Sequence, residues 1–187
     1  MNRVLIALCG AVLAAGALAA VRPALFNQEM PGPTAEHKQL VEQGAGEWEG
    51  TLTLLESGAP DVTVPAKETN VAIGGFWIHS RFESTVMGMP FTGTAISGYD
   101  ENKKKYVGTW VDSMSSYLAI MEGAMDAKGE KLIMHWQAPN MTGAMAPHRS
   151  VTVHTKDSYT TTFFIGEGDG VKSMELKMKR KAKAGGK

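Results

Sequence analysis

The sequence predicts an all-β protein, a single antiparallel up-and-down β-barrel of about ten strands with a short N-terminal helix. Three observations predict this fold. Polar and apolar residues alternate with a period of two along most of the chain after residue 46. The 21 glycines mostly separate these alternating segments, as expected of turns. A composition of 43% hydrophobic and 20% charged residues is that of a folded domain with a core.

The first 19 residues have the pattern of a signal peptide. Arg3 supplies a positive charge, an apolar run follows over residues 4–18, and residues 17–19 offer the small-x-small pattern that signal peptidase requires. We therefore expect an exported bacterial protein, periplasmic or secreted, cleaved after Ala19. Cleavage after Ala20 and retention of the segment as an uncleaved anchor are the alternatives.

The remaining chain divides into three parts. Residues 20–33 contain three prolines and are predicted to form an extended linker. Residues 34–180 are predicted to form one antiparallel β-barrel domain, and residues 181–187 a flexible basic tail. The short helix is predicted to begin after Thr34, a favourable N-cap residue, and to run over residues 35–41, with Gly44 and Gly46 ending it. After cleavage we expect no stable membrane insertion.

Short turns containing Gly, Asp, Asn or Pro separate the predicted strands, which favours hairpin connections. The predicted strands are 46–54, 67–73, 76–87, 91–99, 105–112, 117–125, 131–137, 149–155, 159–165 and 171–180.

Closure of the barrel is predicted to bring the first and last strands together. Trp48 begins the apolar face of the first strand, and Arg180 ends that of the last. Antiparallel pairing would place the Arg180 guanidinium near the Trp48 indole, where a cation–π contact is favourable. The alternative is that Arg180 points into solvent with the neighbouring lysines.

One face of the strands is predicted to line an interior cavity. Methionine is frequent, with 12 residues, and its flexible side chain suits an irregular lining. The residues predicted to line the lumen and contact a ligand are Ser80, Trp110, Met121, Met134 and Trp136.

Several ordered motifs resemble two known groups of proteins. Gly46-Glu47-Trp48 near the start of a barrel, with a basic residue at its end, is similar to the G-x-W signature of the lipocalin and calycin superfamily. A broader set resembles a family of exported bacterial proteins, the domain of unknown function 1579 family. This resemblance implies a lipocalin-like fold and brings no activity with it. The broader set comprises residues 46–50, 74–77, 91–93, 98–100, 106–114 and the strand ending at Arg180.

Charge and histidine spacing argue against several other classes. With 19 basic and 19 acidic residues, the formal net charge is zero, so no field recruits nucleic acid. No two histidines have the spacing of a metal site, although His135 and His154 lie on neighbouring predicted strands, where a two-strand site is open. Met141, Met145 and His148 offer a second alternative, a cuprous copper site.

The sequence contains no recognisable catalytic constellation, and we expect neither an enzyme nor a cofactor. Residues 46–50 are similar to the opening of haem-binding barrels of the nitrobindin type, but no histidine follows His154 to serve as axial ligand. Glu47 and Glu49 are expected on the polar outer face. Asp112, at a strand end, is interpreted as a turn residue.

The preferred hypothesis is a barrel that binds a small apolar or amphipathic molecule. The ligand is expected to enter at the end opposite Trp48. The alternative is a non-binding structural or interaction protein that acts through its outer surface, and an enzyme ranks third. The sequence leaves the oligomeric state open.

Overall fold

The computed structural model describes residues 32–55, 60–140 and 142–182, and the predicted all-β fold is confirmed there. One helix precedes a closed barrel in which each strand pairs antiparallel with its neighbours in sequence. The elements are α1 (Ala35–Gly44), β1 (Gly46–Leu54), β2 (Val62–Ile73), β3 (Trp77–Val86), β4 (Met89–Asp100), β5 (Lys105–Asp112), β6 (Ala119–Met125), β7 (Lys131–Pro139), β8 (Met145–His154), β9 (Ser158–Ile165) and β10 (Val171–Arg180).

Pairing of β1 with β10 closes the barrel. Trp48 lies opposite Arg180, and Leu52 opposite Leu176. Gly50 permits the close approach of these strands, because a Cβ atom there would lie 1.9 Å from the backbone carbonyl oxygen of Lys177. A side chain at this position would therefore force the closing strands apart.

The core occupies one side of the barrel interior, where β1, β2, β3, β9 and β10 meet. Alternation along each strand sends one set of side chains inward, and the register aligns these sets between neighbours. The residues that fill this side are Trp48, Leu52, Ala66, Phe82, Tyr159, Leu176 and Met178.

Strands β2 and β8 begin well before the predicted starts at residues 67 and 149, and the added segment of each includes a proline. Pro65 lies within β2 and Pro147 within β8. Proline lacks the backbone donor but keeps its carbonyl acceptor. The Pro65 carbonyl accepts a hydrogen bond from the Ser84 hydroxyl at 2.8 Å, and the Pro147 carbonyl accepts one from the Gly166 N–H at 2.9 Å.

Helix α1 lies across the end of the barrel at which β1 begins, which we call the helix end, and it packs against β3 and β4. His37 anchors it from a buried position, with its Nε2–H donating to the Tyr99 carbonyl at 2.9 Å and its Nδ1 accepting from the Thr34 N–H at 3.1 Å. The His37 ring also meets Phe76 and Tyr99 edge to face. None of the described helices has the length and apolar character needed to cross a membrane.

Candidate ligand site

Arg180 and Trp48 hold the last turn of α1 against the barrel. The Arg180 guanidinium carbon lies 4.2 Å from the centre of the Trp48 ring. Arg180 also donates to the carbonyl oxygens of Ala45 and Gln43, the latter at 2.8 Å. The Trp48 indole N–H donates to the Gly44 carbonyl at 2.9 Å. A helix end has unsatisfied carbonyls, so this pair caps α1 as well as closing the barrel.

A cavity of about 420 Å³ opens between α1 and the strands that α1 does not cover. Its walls belong to the helix, to the starts of β5 and β7, to the ends of β6 and β8, and to the turn between β6 and β7. Small-molecule sites commonly have volumes of about 300–1,000 Å³. The lining residues are Gln39, Leu40, Gln43, Gly44, Tyr106, Met125, Gly129, Glu130, Leu132, Thr152, Val153 and His154.

This cavity lies at the Trp48 end of the barrel, whereas the sequence led us to expect entry at the opposite end. The reason is the placement of α1, which contacts β3 and β4 and is held by Arg180 from β10. The β6–β8 side of the same end is left uncovered. The helix therefore closes only part of the barrel mouth.

A polar cluster of His154, Tyr159 and Glu68 lies inward of the cavity wall. The His154 ring lines the cavity and lies 5.4 Å from the Tyr159 ring, measured between centroids. The Tyr159 hydroxyl donates a hydrogen bond to Glu68 Oε2, and its ring packs edge to face on Trp48 at 5.0 Å. The cluster thus connects the cavity to the closure contact.

Burial shifts the titration of all three groups toward their neutral forms. It raises the pKa of Glu68 above its usual value, against the opposing effect of hydrogen bonds from Tyr159, Asn70 and Ser80. Burial, and then the negative charge of Glu68, raise the pKa of Tyr159 well above its usual value. Burial, and then the positive charge of Arg180, lower the pKa of His154.

Protein atoms surround Glu68 on nearly all sides, yet part of its surface remains accessible to solvent. The pairing of β1 with β2 places it opposite Trp48, on the inward face. The accessible part of the Glu68 side chain therefore faces the barrel interior.

The five residues predicted to line the lumen all lie on the inward face of the register. Ser80 and Met134 are buried, whereas Trp110, Met121 and Trp136 keep part of their surface accessible. Trp110 packs against the aromatic rings of β3 and β4, and Trp136 stacks on His148 with centroids 5.5 Å apart. None of the five lines the cavity at the helix end.

The residues considered for metal binding are not brought together. His135 is exposed on the outer face of β7, whereas His154 points inward from β8. Met145 and His148 lie on β8, and Met141 lies outside the described residues. In residues 32–55, 60–140 and 142–182, no group of three or more His, Cys, Asp or Glu side chains could hold a metal.

The acidic residues considered for other roles lie outside the cavity. Glu47 and Glu49 are exposed on the outer face of β1. Asp112 accepts hydrogen bonds from the Trp110 indole N–H and the Met114 N–H, both at 2.9 Å, which is a turn-stabilising arrangement.

Sequence reasoning missed Glu68, Tyr159 and His154 as a group. Alternation could have placed each on one face of its own strand. It could not align three strands that are distant in the chain, because the register between strands is set by tertiary pairing.

The chain matches the sequence pattern of a family described as protein of unknown function (DUF1579) over residues 32–180. The matched segment spans the helix and all ten strands. No curated protein matches the chain significantly.

Proposed function

Because the chain belongs to the DUF1579 family, whose function is unknown, we propose from its structure that the barrel binds a small amphipathic molecule at its helix end. The observation that carries this proposal is the cavity of about 420 Å³ beside α1. We further propose, from the leader pattern alone, that it does so after export from a bacterial cell.

The lining suits a ligand with one apolar and one polar part. Leu40, Met125 and Leu132 supply apolar wall, and their contact with a hydrocarbon group would remove apolar surface from water. Thr152 and His154 supply polar groups on a different strand. A few polar groups in a mostly apolar pocket fix the orientation of a ligand.

Competitive dye binding tests this proposal. The protein from residue 20 onward would be titrated with the neutral dye N-phenylnaphthylamine, whose fluorescence rises in an apolar site, and the dye would then be displaced with octanol. The variant Leu40→Trp fills the cavity from the helix side and is expected to weaken dye binding by about tenfold or more, a loss of about 1.4 kcal/mol.

Lys38→Trp is the matched control, because Lys38 is an exposed residue of the same helix that does not line the cavity. It introduces the same side chain and should leave dye binding unchanged. Equal dye affinity in the two variants would show that the dye binds elsewhere, and the absence of saturable dye binding in the unmodified protein would count against a cavity ligand.

A further inference from the structure

We propose that the cavity prefers amphipathic molecules with a carboxylate head group, and that this group sits against His154. This inference rests on the proposed function and specifies the polar part of its ligand. It follows from the position of His154 in the cavity wall and from the charges that surround it.

His154 presents one ring nitrogen to the cavity. Its Nδ1 is enclosed and has no hydrogen-bond partner in the described part of the chain, while the ring itself lines the cavity. Nε2 is therefore the nitrogen that can reach a ligand. An N–H at this position donates to an oxygen acceptor, and a carboxylate accepts such bonds more strongly than an uncharged group does.

The charged side chain that acts on His154 is that of Arg180, which is positive. After burial, the positive charge of Arg180 from β10 is the second cause that lowers the pKa of His154, and the same charge favours an anion placed beside the ring. Arg180 is held on the Trp48 ring and by the carbonyls of α1. Its charge is thus fixed in place before any ligand arrives.

The other titratable groups around this site do not reverse that effect. Glu68 on β2 reaches His154 only through Tyr159 on β9, and burial favours its neutral form. Tyr106 from β5 is uncharged in its protonated form, and burial raises its pKa. Glu130, in the turn between β6 and β7, is exposed, so water screens its charge.

A bound carboxylate would also change the protonation of the ring. Burial and then Arg180 lower the pKa of His154 and so favour the neutral imidazole, whereas an adjacent anion favours the imidazolium. Binding is then accompanied by uptake of a proton from solvent onto His154, and the two partners form an ion pair within the cavity. An uncharged ligand would bind without this uptake.

A homologous series of ligands tests the proposal. Octanoate, octanol and octylamine share one alkyl chain, and each would displace N-phenylnaphthylamine from the protein at pH 7. We expect octanoate to bind more tightly than octanol at pH 7, and the ratio of affinities to increase toward about tenfold as the pH falls below the pKa of His154 in the free protein, since a one-unit rise in the imidazole pKa on binding corresponds to that factor once the ring is protonated. Octylamine should bind more weakly than octanol. Calorimetry in buffers of different ionisation enthalpy should show proton uptake with octanoate only.

The variant His154→Gln removes the titratable ring and should bring octanoate to the affinity of octanol. His148→Gln is the matched control, because His148 is the other inward-facing histidine of β8 and does not line the cavity. Retained octanol affinity would show that His154→Gln still folds with an intact cavity.

Two results would overturn the head-group inference while leaving the binding proposal standing. One is octanol or octylamine binding as tightly as octanoate. The other is an unchanged octanoate preference in His154→Gln. Failure of all three ligands to displace the dye would instead count against the cavity as a binding site.

Discussion

Replacing Arg180 with alanine should destabilise the barrel more than replacing a neighbouring lysine of β10 with alanine. Arg180 makes a cation–π contact with Trp48 at 4.2 Å, and its two shorter hydrogen bonds go to the carbonyls of Ala45 and Gln43, with a longer third one to the Glu42 carbonyl at 3.3 Å. A contact of this type contributes about 1 kcal/mol. Each of the two shorter hydrogen bonds contributes about 1 kcal/mol net. The expected loss in the free energy of unfolding is therefore about 3 kcal/mol.

Urea unfolding followed by tryptophan fluorescence measures this loss, and thermal unfolding should show a midpoint lower by about 6–12 °C for a domain of this size. Lys179→Ala is the matched control, because Lys179 is the exposed neighbour of Arg180 on the outer face. Arg180→Lys should fall between the two, since lysine keeps the charge but loses the planar fork that reaches two carbonyls.

The reasoning would be refuted if Arg180→Ala lost no more stability than Lys179→Ala, which should change it by less than about 0.5 kcal/mol. That result would mean that the Arg180 side chain points into solvent, which is the alternative that the sequence left open. Hydrogen exchange of α1 offers an independent measure, because loss of its carbonyl partners should make the helix open more readily.

Two further changes test the barrel interior. Gly50→Ala should lower the free energy of unfolding, measured in urea, by about 1–3 kcal/mol, because the added Cβ meets the Lys177 carbonyl oxygen. Gly108→Ala should lower it less, because the nearest neighbour of the added Cβ is the flexible Met121 side chain. Glu68→Gln should remove a pH dependence of the free energy of unfolding. The pKa of Glu68 is raised in the folded protein, so the native state binds more protons than the unfolded state. The unmodified protein should therefore lose stability as the pH rises above the unfolded pKa of 4.5. Parallel urea titrations from pH 4 to pH 8 should show the variant gaining stability relative to the unmodified protein, and a constant difference would contradict a raised pKa.

The fold was predictable because its signals are local. Alternation with a period of two specifies strands, and the intervening glycines specify short hairpins, so neighbours in sequence become neighbours in the sheet. The errors were also local. The predicted strands began after Pro65 and Pro147, although each proline lies inside a strand and uses its carbonyl there.

The inward orientation of the five residues predicted to contact a ligand was predictable, because alternation along a strand determines which face each side chain occupies. Ser80, Trp110, Met121, Met134 and Trp136 all point inward, but they line a different part of the interior from the cavity at the helix end. The alternation of residues along a strand predicts which face a side chain occupies, but it does not predict which part of that face is left unfilled. That depends on how side chains from many strands fill the barrel.

By itself the sequence determined the number and direction of the strands and the pairing of the first with the last, because each depends on short-range patterns and on closure of one sheet. Tertiary structure alone decided that α1 covers the β3 and β4 side of the mouth and leaves the β6–β8 side open. It also decided that Glu68, Tyr159 and His154 meet beneath that opening. These residues come from three strands separated along the chain, and their meeting depends on register and packing, which no local pattern encodes.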